Sequence, residues 1–144
     1  EEELDWFRLG AALSDLSIDA LERELSPGLT EHKVADLIER AYVLWGERTG
    51  IHFIGSTAIK DPCLQVPAQF TSSRTVQSGD ILVVEISASF REYSGQVLRS
   101  FAVDSEPTPL YLKLHSVAEA AFNEILKAIR PGTSASDLVQ AVRL

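Results

Sequence analysis

The chain has 144 residues, of which 45% are apolar and 24% are charged, the balance of a globular domain with a core of its own. Its 13 Lys and Arg residues against 21 Asp and Glu residues give a net charge of −8, which repels nucleic acid and anionic lipid. The single cysteine, Cys63, excludes an internal disulfide and a multi-cysteine zinc site. No membrane span or signal peptide is recognisable, so we expect a cytoplasmic protein, and the lack of any methionine predicts a piece of a longer product.

The first third of the chain predicts two helices joined by a Pro-Gly turn. Apolar residues recur at helical spacing through residues 4–25, and Pro27-Gly28 ends the pattern. Thr30-Glu31 begins a second helix, since threonine is a suitable N-cap and the helix dipole favours an acid in the first turn. We expect that helix to end at Gly46 or Gly50.

The middle of the chain predicts an antiparallel sheet. A short strand at residues 51–55 precedes a long, mostly irregular connection over residues 56–78. Residues 81–90 are too β-branched and too continuously apolar for a solvent-facing strand, which predicts a central strand. Arg91-Glu92 then turns the chain, and residues 93–103 complete a hairpin with a short loop.

The last part of the chain predicts two more helices. Pro107 and Pro109 open a long helix that ends at Pro131-Gly132. Ser134 and Asp137 have the spacing of a capping pair for a final helix that runs to the end of the sequence.

These two helices repeat the first two. With Pro27 placed on Pro131, an offset of 104 residues, the polarity and the caps of both helix-turn-helix segments agree: Leu21 with Ile125, Leu25 with Ile129, Gly28 with Gly132, Thr30 with Ser134, Val34 with Leu138, and Ile38 with Val142. The agreement predicts a duplication whose second copy lacks its strands. Residues 1–144 are therefore expected to form about half of a larger α+β domain.

Four segments resemble signatures of a known family. In chain order they are LSPGLTE at residues 25–31, SRTVQSGDIL at 73–82, EYSGQVLRSF at 92–101 and IRPG at 129–132. They are similar to the "PGxTE", "RxLxxGDxV", "GYxxDxTRTF" and "PG" signatures of the pita-bread fold shared by methionine aminopeptidase, Xaa-Pro aminopeptidase, prolidase and creatinase. The resemblance implies an antiparallel sheet covered by helices, the first half of a catalytic-type domain in residues 1–144, and a homodimer for the intact protein.

The resemblance also implies a metal site. Peptidases of this family bind two divalent ions, such as manganese, cobalt or zinc, with five side chains, and the first two are aspartates on adjacent hairpin strands. Glu85 and Gln96 occupy those positions, and residues eleven apart across a tight turn can share one face of a hairpin. A neutral amide is a poor substitute for a bridging carboxylate, so we expect a non-standard or absent dinuclear site.

Several side chains around the hairpin are candidates for the site. A buried Glu85 is either a catalytic acid or base with a raised pKa, or a structural residue bonded to Arg99 or Gln96. Gln96, Tyr93 and Arg99 are candidate substrate-binding residues, although Tyr93 is also expected to pack at the turn and Arg99 to form an internal ion pair. His52 lies in a predicted strand, where we expect it to be structural.

Two classes of function remain open. The intact protein is either a hydrolase acting on a small peptide, such as an Xaa-Pro peptide, or another small amide, or it is a catalytically inactive module that binds a peptide or protein. Residues 66–70 contain no histidine where the family has a substrate-handling one, which favours the second class. We predict that this chain alone is inactive, because half a site cannot position nucleophile and substrate. An unrelated small α+β domain is a third interpretation.

Overall fold

The computed structural model describes residues 1–45, 51–63 and 66–143, so the predicted end of the second helix at Gly46 or Gly50 lies outside the described residues. The chain divides into two compact units, which comprise residues 1–106 and residues 107–144. In chain order the elements are α1 (Glu2–Glu24), α2 (Glu31–Tyr42), β1 (Ile51–Ala58), β2 (Asp80–Phe90), β3 (Tyr93–Ala102), α3 (Pro109–Ala128) and α4 (Ala135–Ala141). Each of these elements was predicted. None of the helices in the described ranges is both long and apolar enough to cross a membrane.

Several boundaries differ from the prediction. α2 ends at Tyr42, before the predicted stop at Gly46 or Gly50. β1 continues three residues further, to Ala58, because residues 56–58 stay paired with residues 80–82 of β2. α4 ends at Ala141 and does not run to the end of the chain.

The first unit is built on a three-stranded antiparallel sheet in the order β1-β2-β3, with β2 in the centre as predicted. Phe90 and Tyr93 form the last pair before the turn, where Arg91 and Glu92 both have positive φ angles, 48° and 68°. Two consecutive left-handed residues match the right-handed twist of the strands they join. The turn therefore fixes the register that sets Glu85 against Leu98 and Ser87 against Gln96.

The core lies between one face of this sheet and the two helices α1 and α2. Alternate residues of β2 point into it, and the largest fully buried apolar side chains are Leu21, Val34, Ile38, Tyr42, Ile54, Val76, Leu82, Val84 and Ile86. α2 begins as predicted, since the Thr30 hydroxyl accepts a hydrogen bond from the backbone N–H of Lys33.

α1 approaches the hairpin closely enough for a helix side chain to enter the strand ladder. Gly10 and Gly95 lie at this crossing, where neither position has room for a Cβ atom. The Ser14 hydroxyl accepts a hydrogen bond from Ala88 N at 3.0 Å and donates one to the carbonyl of Gly95, the residue paired with Ala88 across the hairpin. The hydroxyl thus joins α1, β2 and β3 through the backbone of two residues that pair across the hairpin.

The helix connection of the second unit has the same local backbone conformation as that of the first unit. Leu25 and Ile129 end α1 and α3 with nearly the same φ and ψ, −64° and 123° against −71° and 118°. The glycines that follow, Gly28 and Gly132, have φ angles of 98° and 92°. Ser134 then caps α4 in a complete capping box with Asp137, as predicted.

Candidate functional site

One face of the sheet is polar and is not covered by the helices of the first unit. Strand alternation places the odd-numbered residues of β2 and the even-numbered residues of β3 on this face, opposite α1 and α2. Its β2 members Val83, Glu85, Ser87 and Ser89 are half-buried, and its β3 members Ser94, Gln96, Leu98 and Ser100 are exposed. These eight side chains are four hydroxyls, one amide, one carboxylate and the two apolar side chains of Val83 and Leu98.

Glu85 and Gln96 meet on this open face. The amide Nε2 of Gln96 donates to Oε1 of Glu85 at 2.6 Å and also lies 3.3 Å from the hydroxyl of Ser87. The predicted juxtaposition across the hairpin is therefore present, as is one of the two structural bonds expected for the glutamate. Glu85 is half-buried, however, and not buried as the sequence suggested, because the open face leaves its carboxylate partly in contact with solvent.

Tyr93 and Arg99 lie on the other face of the sheet. Tyr93 packs against Trp6 and Phe7 of α1 and donates a hydrogen bond to Glu3 at 2.8 Å, an interaction that raises the pKa of the phenol. Arg99 is exposed and donates to the carbonyl of Leu98 at 2.9 Å, where a bond to Glu85 had been one alternative. The structure thus groups Glu85 with Gln96 and separates both from Tyr93 and Arg99, whose roles in substrate binding stay predictions.

The side chains that this hairpin offers as metal ligands do not suit a pair of metal ions. Glu85 is the one carboxylate that β2 and β3 place on the open face, and the group beside it is an N–H donor rather than a second anionic ligand. Two adjacent cations need several anionic ligands to offset their mutual repulsion. Within the described ranges, no group of three or more His, Cys, Asp or Glu residues is placed to hold a metal ion.

His52 is a structural residue, as expected. It is 7% exposed, and its Nε2 lies 2.7 Å from the Tyr42 hydroxyl, while its Nδ1 accepts a hydrogen bond from Ser87 N at 3.3 Å. Burial lowers the pKa of the imidazole. The ring therefore fastens α2 to β1 and β2 in its neutral form.

The Glu31 carboxylate forms a buried network that the sequence did not reveal. Its Oε1 accepts hydrogen bonds from the backbone N–H and hydroxyl of Ser56, at 2.9 and 2.8 Å, and its Oε2 accepts the same pair from Ser72, at 3.1 and 2.6 Å. Burial raises the pKa of Glu31, but the four hydrogen bonds outweigh burial and the pKa is lowered. The first turn of α2 is thereby fixed to β1 and to the segment before β2.

Arg74 and Asp80 extend the network to the start of β2. The guanidinium donates to both oxygens of Asp80, at 2.6 and 3.0 Å, and to the Ser56 hydroxyl at 2.7 Å. Gln77 N supplies a further hydrogen bond to Asp80 at 2.7 Å. Burial raises the pKa of Asp80, yet the bonds from Arg74 and Gln77 lower it overall, while bonding to Asp80 raises the pKa of Arg74.

The lowered pKa values of Glu31 and Asp80 predict acid sensitivity. Because both lie below their ordinary values of 4.5 and 3.8, the stabilisation they give is complete above those values, begins to decline below them, and is lost as the pH falls through the lowered values. We expect the urea midpoint of the intact protein to fall steeply below about pH 4.5. In the double variant Glu31→Gln and Asp80→Asn the midpoint should be lower at neutral pH and should change less with acid. Parallel pH curves for the two proteins would contradict this assignment.

The chain is similar to several known peptidases, both in sequence and in structure. The chain is 28% identical over 128 residues to a methionine aminopeptidase from Staphylococcus epidermidis, covering 86% of this chain and 51% of the relative. It is 22% identical over 144 residues to an Xaa-Pro dipeptidase from Pyrococcus furiosus, covering 99% of this chain and 40% of the relative. It superposes on the crystal structure of dipeptidase PepE from Mycobacterium ulcerans with a TM-score of 0.83 and 27% identity, over 99% of this chain and 38% of that one.

Residues 5–144 match the model of metallopeptidase family M24, and the chain belongs to that family. It spans about half the length of the methionine aminopeptidase and about 40% of the Xaa-Pro dipeptidase. The Glu31 and Arg74–Asp80 network lies in two of the segments that carried the sequence resemblance, which gives those residues a structural reason to be there.

Proposed function

We propose that the intact protein is a hydrolase acting on a small peptide or amide, with the open face of the sheet as one wall of its substrate cleft. The observation that carries the proposal is the meeting of Glu85 and Gln96 on that face. The relatives are a methionine aminopeptidase and dipeptidases, and this supports a peptide with a free amino terminus or an Xaa-Pro bond as the substrate.

The chain is proposed to be the first half of a duplicated domain. By the offset found in the sequence, Leu13 and Ile18, which α1 buries with 6% and 7% exposure, correspond to Val117 and Phe122 of α3, which are 52% and 59% exposed. Apolar side chains in these positions are suited to packing on a sheet. In this proposal the intact protein supplies strands for α3 as β1 to β3 do for α1.

The metal content of the intact protein is proposed to be non-standard. A bound divalent ion would polarise the scissile carbonyl and activate water. Glu85 is the ligand this chain offers, and without a metal its carboxylate is the candidate general base. The amide of Gln96 orients that carboxylate in either case.

A second proposed function is binding without catalysis. It is favoured by Gln96, whose amide already satisfies Glu85 and occupies the place of a second anionic ligand. The lack of a histidine in residues 66–70 points the same way.

Metal analysis and peptide hydrolysis decide between the two functions. The intact protein would be analysed for metal with and without added manganese or cobalt, and assayed on a panel of Xaa-Pro dipeptides. Metal in roughly stoichiometric amount together with turnover supports the hydrolase. Turnover without metal supports Glu85 as a base, and the absence of both supports the binding module.

Restoring a second carboxylate is expected to strengthen metal binding. Gln96→Asp should raise the affinity for manganese by at least about tenfold, measured by calorimetry, because two carboxylates then face one ion. Gln140→Asp, which adds the same charge on α4, serves as the matched control and should leave the affinity unchanged. If the two variants bind manganese equally, the hairpin is not part of a metal site.

A further inference from the structure

A cavity lies on the helix-covered side of the sheet. Its volume is about 240 Å³, and it is lined by Ala35, Glu39, His52, Ile54, Gln69, Phe70 and Thr71. His52 and Ile54 pair with Ile86 and Val84, so their side chains point to the face opposite Glu85 and Gln96. The cavity is therefore distinct from the site proposed above, and either can be wrong without affecting the other.

Glu39 is the anionic group of this cavity. Its carboxylate is half-buried and, among the residues that the structure describes, forms no hydrogen bond or ion pair. By contrast, Glu24 is paired with Arg40, and the Glu31 carboxylate accepts four hydrogen bonds. A half-buried carboxylate without a cation attracts one from solution, and the net charge of −8 adds to that attraction.

The other lining residues are suited to a cation that carries an apolar stem. Ala35 and Ile54 provide apolar walls, and the ring of Phe70 is 88% exposed. An open aromatic face attracts ammonium and guanidinium groups and also covers their methylene stems. The volume is below the roughly 300 Å³ at which pockets for drug-sized ligands begin, and it suits one long side chain.

A metal ion is a poor occupant of the same cavity. Both ring nitrogens of His52 are already engaged, one with Tyr42 and the other with Ser87. Glu39 would then be the single charged ligand, whereas divalent ions require several.

We propose that this cavity binds a lysine or arginine side chain of a peptide, with the cationic head on Glu39, the stem along Ala35, and Phe70 closing the entrance. The proposal gives the protein a preference for basic residues that is independent of catalysis. It therefore applies equally to a hydrolase and to a binding module.

The test is a binding titration of the intact protein in which NMR chemical shifts report the binding. The two probes are N-acetyl-lysine N-methylamide and N-acetyl-norleucine N-methylamide, which differ in the ammonium group. We expect the lysine probe to bind at least about tenfold more tightly, because a charge-assisted hydrogen bond is gained. Glu39→Gln should abolish this preference, and Phe70→Ala should weaken binding of the lysine probe by several-fold.

Glu22→Gln is the matched control, since Glu22 is exposed on α1 and lies outside the cavity. It removes the same charge and should leave the preference for lysine intact. Equal binding of the two probes, or no binding of either, would overturn the proposal. An equal loss in Glu22→Gln and Glu39→Gln would also overturn it, because the attraction would then come from net charge alone.

Discussion

Gly10→Ala and Gly95→Ala are each expected to destabilise the first unit by about 3 kcal/mol or more. A Cβ atom on Gly10 would lie 2.3 Å from the carbonyl oxygen of Tyr93, and one on Gly95 would lie 2.2 Å from the Cα atom of Ala11. In both cases the neighbour is backbone, so no side chain can turn aside to make room. The clash is relieved only if α1 and β3 move apart, which also separates the Ser14 hydroxyl from its two partners.

The sign of the effect is itself diagnostic. At a solvent-exposed position inside a helix, replacing glycine by alanine stabilises the folded protein by about 1 kcal/mol. Ala12→Gly, at an exposed position of the same helix, is the matched control and should destabilise by about 1 kcal/mol. Urea unfolding followed by tryptophan fluorescence is a suitable measurement, because Trp6 lies 5.2 Å from Tyr93 at this contact. If Gly10→Ala unfolds at the same or a higher urea concentration than the natural protein, the close approach is not formed.

Arg74→Leu is expected to destabilise the protein by about 3 to 5 kcal/mol. Asp80 has 3% side-chain exposure, and the substitution removes the two bonds that neutralise its charge. A buried carboxylate that keeps only the amide of Gln77 carries most of its desolvation cost. The free energy of unfolding, measured in urea at neutral pH, should show the full loss.

The ion pair between Arg40 and Glu24 provides the control. Its side chains are 53% and 48% exposed, so Arg40→Leu should change the free energy of unfolding by less than about 1 kcal/mol. Adding Asp80→Asn to Arg74→Leu should recover part of the loss, since an amide is less costly to bury than an unpaired charge. Equal effects of Arg74→Leu and Arg40→Leu would show that Asp80 is not buried with its charge.

Strand alternation by itself separates the predicted site residues into two groups. Residues that share a face of one strand differ by an even number, and Gln96 differs from Tyr93 and Arg99 by three. From the sequence all three were nevertheless candidate substrate-binding residues. The register confirms that Glu85 and Gln96 share a face, because the turn at Arg91 and Glu92 has two residues and admits one pairing.

The role of Glu31 was hidden from the sequence for a different reason. A glutamate at the first position of a helix is explained by the helix dipole, and nothing nearby contradicts that explanation. Its four donors belong to Ser56 and Ser72, which are 25 and 41 residues away along the chain. Serines in a polar connection carry no pattern that indicates a buried carboxylate.

By itself the sequence determined the seven elements, the central place of β2, the hairpin and the repeated helix connections, because periodicity, caps and turns are properties of neighbouring residues. Only the tertiary structure decided which carboxylates are buried and paired, which sheet face is open, and how closely α1 approaches the hairpin. Those features depend on atoms that are distant in the chain and adjacent in space, such as Gly10 beside Gly95, and on the burial that packing produces. The physical environment of each candidate group, more than its identity, sets its chemistry.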